Sequence, residues 1–353
     1  MSSADTPFRL MLIADPGVAE RRIKGITETF TAEARQALTG RVDVAVETRS
    51  VRINPDGSLD VTVIGELDAK HLDADAVLVL TEVPRHDEGR PLIAEIFAEK
   101  RTAIVSLPTL GMWSTKRRIR SIFMDALLQL LPEAHGPLSK NAAQRWSRWK
   151  STSQGDRYRL FAPPVTGDLR TVLGMTAAND PWRTAPKLSG ALAAASAVGA
   201  FGIFYNSIWQ KADALSSMRL ISIGAAVIIS MVAWLISTNR LWDKPTSHNV
   251  TRVVMLYNGS TVLTLLVCVT MLYLALVIGI LVGAAVVIEP GFLSEITGEE
   301  VDFFNYLDIA WLSAAMGVVA GAVGSAFDPS MDIRRITHGQ RELQRRYTAE
   351  ELG

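Results

Sequence analysis

The sequence predicts an α/β domain built on a small doubly wound parallel sheet, followed by a four-helix transmembrane bundle. Three observations carry that expectation. Over the first 138 residues, short unbroken apolar runs alternate with segments of helical period, the pattern of parallel strands buried on both faces. Long apolar runs fall almost entirely after Leu188. Residues 253–333 contain no lysine or arginine, although Lys plus Arg and Asp plus Glu each number 36 in the 353-residue chain.

Phe8 to Ala14 is an almost continuous apolar run ending in Asp15-Pro16-Gly17 and predicts the first strand. Val18 to Leu38 follows a helical period, with Val18, Ile23, Ile26 and Phe30 on the core side. Val42, Val44 and Val46 alternate with Asp43, Ala45 and Glu47 as a second strand, and Asn54-Pro55-Asp56-Gly57 signals a turn. Ser58 to Leu72 reads either as the return arm of a hairpin or as a crossover helix. Leu59, Val63 and Leu67 at four-residue spacing, and the crossover a parallel neighbour requires, favour the helix. Ala76 to Leu80 predicts a third strand, Pro91 to Glu99 a helix, Thr102 to Leu107 a fourth strand and Ser114 to Leu131 the closing helix.

Right-handed crossovers put the carboxyl ends of parallel strands on one edge, where ligands bind in open α/β sheets. Three loops collect there: Asp15-Pro16-Gly17, Thr81-Glu82-Val83-Pro84-Arg85-His86 and Ser106-Leu107-Pro108-Thr109-Leu110-Gly111. Lys116-Arg117-Arg118-Ile119-Arg120 opens the helix behind the third, and a helix N-terminus favours an anion. The candidate ligand-binding residues are therefore Asp15, Gly17, Thr81, Glu82, Arg85, Ser106, Thr109, Gly111, Lys116 and Arg117, for a phosphate or carboxylate. The competing reading gives these loops Pro and Gly only for turning, and a basic helix face that is solvated or meets anionic lipid.

Sharper motifs are missing. One glycine follows the first strand where a dinucleotide fingerprint needs three, and there is no Gly-Lys-Ser or Gly-Lys-Thr phosphate loop. The third strand ends in Thr81-Glu82 where a phosphoacceptor receiver would carry aspartate, so no cofactor is indicated. His86-Asp87-Glu88 has metal-ligating residue types, but adjacent loop residues seldom converge on one ion; it reads as an exposed loop, and no metal site is predicted. The single cysteine, Cys268, lies inside an apolar run and reads as a small buried hydrophobe.

Residues 139–187 read as a basic interfacial connector between the α/β domain at 1–138 and the membrane domain at 188–328. Trp146, Trp149 and Lys150 among several arginines, and Trp182-Arg183 ahead of the first long run, are residue types that sit among lipid headgroups. Anionic lipid explains the pattern without nucleic acid. Asp168 to Met175 predicts a short interfacial helix with Leu169, Val172 and Leu173 on one side.

Spans are expected at about 189–209, 220–237, 254–288 and 309–327, against the roughly 20 helical residues that cross a bilayer core. The third is too long to cross upright and must tilt, bend or protrude, with Val254 to Thr261 at or beyond the interface. Arg183 and Lys187 precede the first span, and Arg240, Lys244 and Arg252 lie between the second and third. Arg334, Arg335, Arg341, Arg345 and Arg346 follow the fourth in a charged helical tail at 329–353. The loop between the third and fourth instead holds Glu289, Glu295, Glu299, Glu300 and Asp302. By the positive-inside rule both termini are cytosolic in an inner-membrane, multi-pass protein, the run at Phe8 being too short for a signal peptide. The acidic loop reads as solvated, with cation binding as the alternative. Gly199, Gly279, Gly283, Gly317 and Gly321 are expected at close helix contacts, within the bundle or between protomers of a homo-oligomer.

Five stretches in fixed order, Ala14-Asp15-Pro16-Gly17, Leu80-Thr81-Glu82-Val83-Pro84, Ser106-Leu107-Pro108-Thr109-Leu110-Gly111, Trp182-Arg183 before Leu188-Ser189-Gly190-Ala191-Leu192-Ala193-Ala194, and Tyr257-Asn258 with Thr261-Val262-Leu263-Thr264, complete the pattern. In them the chain resembles a family of uncharacterised actinobacterial membrane proteins. The resemblance spans most of the chain and implies a cytosolic domain followed by a membrane bundle, with no activity attached.

Three functions compete. The first is a non-enzymatic sensor or scaffold whose α/β domain binds an anionic small ligand or a protein partner. The second is a small-solute transporter or channel, for which the absence of ionisable side chains well inside the spans argues against proton coupling. The third is a membrane-tethered enzyme on a phosphorylated or carboxylate substrate, with Asp15 or Glu82 as acid or base. No nucleophile and base pair stands out in the sequence, which places the enzyme last.

Overall fold

The computed structural model describes residues 7–38, 41–51, 65–87, 89–113, 116–134, 148–152, 156–184, 189–244 and 251–325. The chain divides into two compact units, one holding the described residues up to Ala178 with Asp243–Ser260, the other Asn179–Trp242 and the described residues from Thr261 to Ser325.

The first unit is organised by a mixed sheet. Its strands are β1 (Phe8–Ala14), β2 (Val42–Thr48), β3 (Ala76–Thr81), β4 (Arg85–Asp87), β5 (Arg90–Phe97), β6 (Thr102–Ser106), β7 (Lys150–Ser151) and β8 (Arg157–Phe161). Their order is β2-β1-β3-β6-β5-β8-β7, with β4 paired to β5. The four strands β2-β1-β3-β6 are parallel; β3 and β6 are buried along their whole length, whereas β2, at the sheet edge, is buried only at Val42. Alternate residues supply two cores. Leu10, Leu12, Leu78 and Leu80 pack beneath α1 (Val18–Lys24), α2 (Thr27–Ala37) and α3 (Lys116–Leu130), where Phe30 and Phe123 meet edge to face at 6.0 Å. Ile13, Val77, Val79 and Ile104 face the opposite way, against Val51 and Leu67.

The wholly parallel sheet expected from the sequence is corrected at β5. Pro91 to Glu99 is not a helix: Pro91 through Phe97 are all buried and form a strand antiparallel to β6 and β8. Leu92, Ile93, Ile96 and Phe97 would share one helical face with Glu95 off it, so the period misleads, and pairing with β6 and β8 decides for the strand. His86 and Asp87, read as an exposed loop, belong to β4, with His86 only 7% exposed; Glu88 lies outside the described residues. The stretch read as a connector supplies β7 and β8, which extend the sheet beyond β5. Most of Ser58 to Leu72 falls outside the described residues, and the remainder, from Gly65, is largely turn, with Leu67 buried.

The interfacial helix expected at Asp168 to Met175 is α4 (Gly167–Ala178), and it packs by a different face. Gly167, Thr171 and Gly174 are buried while Leu169 is 63% exposed. A methyl group on Gly174 would lie 1.9 Å from the Pro108 carbonyl oxygen, so the glycine lets α4 lie directly on the 3-10 turn Pro108–Leu110.

The second unit is helical: α5 (Pro181–Thr184), α6 (Ser189–Gly199), α7 (Phe201–Phe204), α8 (Asn206–Asp213), α9 (Ser217–Thr238), α10 (Thr251–Val287), α11 (Pro290–Thr297) and α12 (Phe303–Ser325). Helices α9, α10 and α12 are long and apolar enough to cross a bilayer, as in a multi-pass membrane protein. The first expected span is broken instead of straight, α6 and α7 being bent by 84° from α8 at Tyr205. The Trp209 indole N–H donates to the Gly202 carbonyl across the break (2.8 Å), satisfying one backbone acceptor that the bend exposes. At 37 residues α10 is about 55 Å long, well beyond a hydrocarbon core of about 30 Å. The boundary between the two units falls inside it, between Ser260 and Thr261. Before that point Asn258 clips the chain with two bonds of 3.0 Å, accepting from the Asp243 N–H and donating to the Asp243 carbonyl.

Small residues do permit close helix contact. A methyl on Gly317 would lie 2.4 Å from the Ala195 carbonyl oxygen, one on Gly199 2.7 Å from Ile280 Cδ1, and one on Gly283 2.8 Å from Ile203 Cδ1. Gly321 is buried in α12. Gly279 is the exception: among the described residues, nothing lies within 4 Å of where its methyl would sit. Gly202 and Gly224, which the spacing of small residues does not single out, make tight contacts against Ser313 and against the Tyr273–Trp311 pair. The acidic loop folds as α11, with Glu289 accepting from Phe292 N–H (2.6 Å) at its start and Gly298 left-handed at its end. The tail at 329–353 lies outside the described residues.

Candidate functional site

The strand order reverses at β1, whose neighbours are β2 on one side and β3 on the other, so the carboxyl ends of β1 and β3 form the crevice of this fold. Asp15 leaves β1 there, 1% exposed, and its carboxylate gathers three donors. The Val51 N–H donates to Oδ1 (2.7 Å), and the Thr81 hydroxyl (2.6 Å) and Glu82 N–H (2.7 Å) donate to Oδ2. Thr81 Oγ1 in turn accepts from Val83 N–H (3.1 Å). One side chain thus ties the chain after β2 to the turn after β3. Burial pushes the Asp15 carboxyl up to about 6 against the lowering effect of these three bonds.

Glu82 continues the cluster. Its Oε1 accepts from the Ala19 N–H at the start of α1 (2.7 Å), the position where comparable folds hold an anion. Gly17, at φ 121, makes room: a methyl there would stand 2.8 Å from Glu82 Oε1. Burial drives the Glu82 carboxyl up to about 8, opposed by the Ala19 N–H and reinforced by the nearby Asp15 charge. Asp15, Gly17, Thr81 and Glu82 lie together at this edge and engage one another, and the helix start is filled by the chain's own carboxyl group.

The other expected residues separate. The Ser106 hydroxyl donates to the Val83 carbonyl (3.0 Å) and lies 3.0 Å from Thr109 Oγ1; both are fully buried and brace the third loop. Arg85, 3% exposed, forms an ion pair with Glu95, to which Arg159 also donates (3.0 Å) while reaching Asp87 (2.8 Å). Burial works to raise Glu95, yet Arg85 and Arg159 hold it below the ordinary carboxylate value. His86 is pushed down to about 4 by burial and is neutral near pH 7. Lys116 and Arg117 are exposed, with Lys116 Nζ lying against the Gly25 turn, 2.6 Å from where a methyl on Gly25 would sit.

A second cluster forms at Gly111. The Leu110 carbonyl accepts from Arg170 Nε (2.9 Å) and Nη2 (2.6 Å) and from Arg118 Nη1 (3.3 Å). Gly111, at φ 88, turns the chain over the Arg170 stem, where a methyl would meet Cγ at 2.7 Å. Burial, and then the charge of Arg118, lower Arg170 to about 10; burial and Arg148 lower Arg118. Arg118 thus stands within electrostatic reach of both Arg170 and Arg148. Arg118 is visible in the basic run before α3, whereas Arg170 is distant in sequence and reaches the loop only because α4 packs on the 3-10 turn.

Of the residues expected at a lipid interface, Trp182 (53%) and Arg183 are exposed and Lys150 is exposed on β7, but Trp149, 8% exposed, packs in the sheet core. Trp146 lies outside the described residues. Cys268 is buried, its thiol 3.7 Å from the Pro181 carbonyl. Among the described residues no group of three or more His, Cys, Asp or Glu side chains is placed to hold a metal ion.

No protein-family model matches the chain, and neither a curated protein nor a solved structure matches it. Its architecture, a sheet domain joined to long apolar helices, stands on the geometry alone.

Proposed function

We propose that this is an inner-membrane, multi-pass protein whose α/β domain is a non-enzymatic binding module for an anionic ligand, in a sensing or scaffolding role. The observation that carries the reading is the convergence of Arg118 and Arg170 on the Leu110 carbonyl, with Arg148 close by. Arg170 brings a second guanidinium to the carbonyl that Arg118 already reaches, and a multivalent anion at this corner would be attracted by both. The switch-point crevice supports binding over catalysis, because Asp15 and Glu82 spend their oxygens on holding loops. In this reading both termini are cytosolic, from the lysine and arginine distribution, and the order of cytosolic domain and bundle follows the actinobacterial resemblance.

The test is hydrogen exchange of the segment 107–118 in the detergent-solubilised full chain, with phosphate, sulfate or citrate substituted for chloride at constant ionic strength. Protection by at least one multivalent anion, lost in Arg170→Gln, is expected; equal exchange in all four salts would remove the reading. A transporter is the second reading, favoured by the 84° break at Tyr205, since transporter sites are built where spanning helices are interrupted. Solute flux in proteoliposomes, abolished by Gly202→Leu, is its expected signature.

A further inference from the structure

We infer that the β4–β5 hairpin and the start of α4 hold the first turns of α10 in an acid-sensitive clamp, in which a buried, neutral His86 lies beside the Asp168–Arg252 ion pair. Every group in the clamp belongs to the sheet unit, which includes α10 as far as Ser260. His86 is paired with Pro91 across the hairpin, and paired residues share a face. The Pro91 ring lies 3.4 Å from where a methyl on Gly167 would sit, so the imidazole is on the side of the hairpin that meets α4. Asp168, the next residue, accepts through Oδ2 from Arg252 Nε (3.1 Å) and Nη2 (2.6 Å). Arg252 Nη1 reaches back to the hairpin turn, 3.7 Å from where a methyl on Gly89 would sit. Two turns further along α10, Gly259 lies against Val172 of α4, so both helices are held over this stretch.

Polar atoms are left over inside the joint. His86 is only 7% exposed, yet among the described residues neither ring nitrogen has a hydrogen-bond partner, and Asp168 Oδ1 is buried without one. The other described charges on these elements are engaged elsewhere: Arg85 with Glu95, Asp87 with Arg159, Arg90 over the Phe161 ring and Arg170 on the Leu110 carbonyl. Asp168 and Arg252 are the charges that His86 meets, and they oppose each other. Burial decides the balance and holds the imidazole down at about 4, against an ordinary 6.5. An ion pair with side chains 36% and 49% exposed is weak by itself. A proton forced onto His86 therefore weighs heavily against the clamp. Opening it lets water reach the imidazole and restores the ordinary value. A depressed histidine stabilises the closed form above pH 6.5, and that advantage is lost as pH falls toward 4. Past Ser260, α10 runs on into a stretch long and apolar enough to cross a bilayer, so the clamp sets how the start of that helix is held. It does not require an anion at the Gly111 corner.

The test is hydrogen exchange of amides 255–260 in the detergent-solubilised full chain, corrected for intrinsic rates, at pH 7.5 and 5. These are the first amides of α10 with acceptors in the preceding turn. Their protection should fall about 10- to 30-fold in acid, while β1 and β3, whose Asp15 and Glu82 favour the protonated form, keep theirs. His86→Leu, which has nothing to protonate, should keep its protection at pH 5. A fall of less than about threefold in the wild type, or an equal fall in His86→Leu, overturns the clamp. Should that variant misfold, ¹³C-histidine NMR of the wild type and of Arg252→Gln, at an exposed side chain, decides instead. One of the five histidines should titrate near 4 in the wild type and closer to 6.5 in the variant; five histidines titrating alike in both proteins would leave no clamp.

Discussion

Replacing Glu82 by glutamine should leave the stability of the α/β domain nearly unchanged at about pH 5 and raise it at about pH 9. The folded protein lifts the Glu82 carboxyl from 4.5 to about 8, chiefly by burial. A raised folded-state pKa means that folding favours the protonated form, so its contribution is complete below 4.5 and is lost as pH rises through 8. The full shift corresponds to about 5 kcal/mol, and solvent reaching this partly exposed side chain reduces it to roughly 2–4 kcal/mol. Glutamine keeps the oxygen that accepts from the Ala19 N–H at 2.7 Å and has nothing to ionise. Asp15, lifted from 3.8 to about 6, loses its own contribution of about 3 kcal/mol between about pH 4 and 6, in both proteins alike. The assay is hydrogen exchange of the β1 and β3 amides in the detergent-solubilised full chain, corrected for intrinsic exchange rates. The two proteins should diverge as pH rises from about 4.5 and keep a constant difference above about pH 8. Protection that changes in parallel from pH 5 to 9 would show Glu82 ionised throughout and refute the account of the crevice.

Asp15→Ala leaves the donors of Val51, Thr81 and Glu82 without their acceptor and should cost roughly 3–5 kcal/mol, read as lost protection in β1 and β3 with the helical unit unaffected. Glu95→Gln strips the buried Arg85 and Arg159 of their shared charge partner and should cost about 3–5 kcal/mol by urea titration; adding Arg85→Met should recover much of it, because the uncompensated buried cation is then gone. Gly174→Ala collides with the Pro108 backbone and should destabilise the Leu107–Gly111 corner enough to weaken phosphate protection. Gly279→Ala meets nothing among the described residues and should leave thermal stability unchanged or raise it by up to about 1 kcal/mol, so a large loss there would place a protomer contact at that face.

The parallel strands were legible because burial on both faces leaves one signature, a run of apolar residues, which β3 and β6 show throughout and β1 shows after Arg9. The same signature misleads at β5, since Leu92, Ile93, Ile96 and Phe97 also share one helical face with Glu95 off it, and only pairing with β6 and β8 decides for the strand. Trp149 is misplaced for a related reason: tryptophan among arginines describes a lipid interface and a strand edge equally well, and pairing of the neighbouring β7 with β8, not composition, decides between them. The switch-point residues Asp15, Thr81 and Glu82 can be named from strand ends. Their partners cannot, because Val51 and Ala19 contribute backbone N–H groups that carry no mark in the sequence.

In the proposed reading the anion site lies at the Gly111 corner instead of the crevice because of a single side chain. In a doubly wound sheet the N–H groups that open α1 normally meet a ligand's negative charge. Here Glu82 supplies the acceptor from within the chain, and burial beside Asp15 keeps that acceptor neutral near pH 7. A phosphate approaching the crevice would find the Val18 and Ala19 donors taken and two carboxyl groups in its way. Further along the same edge, past β6, Ser106 and Thr109 are likewise occupied with each other, and guanidiniums gather only beyond Leu110, where Arg170 arrives from α4 to join Arg118.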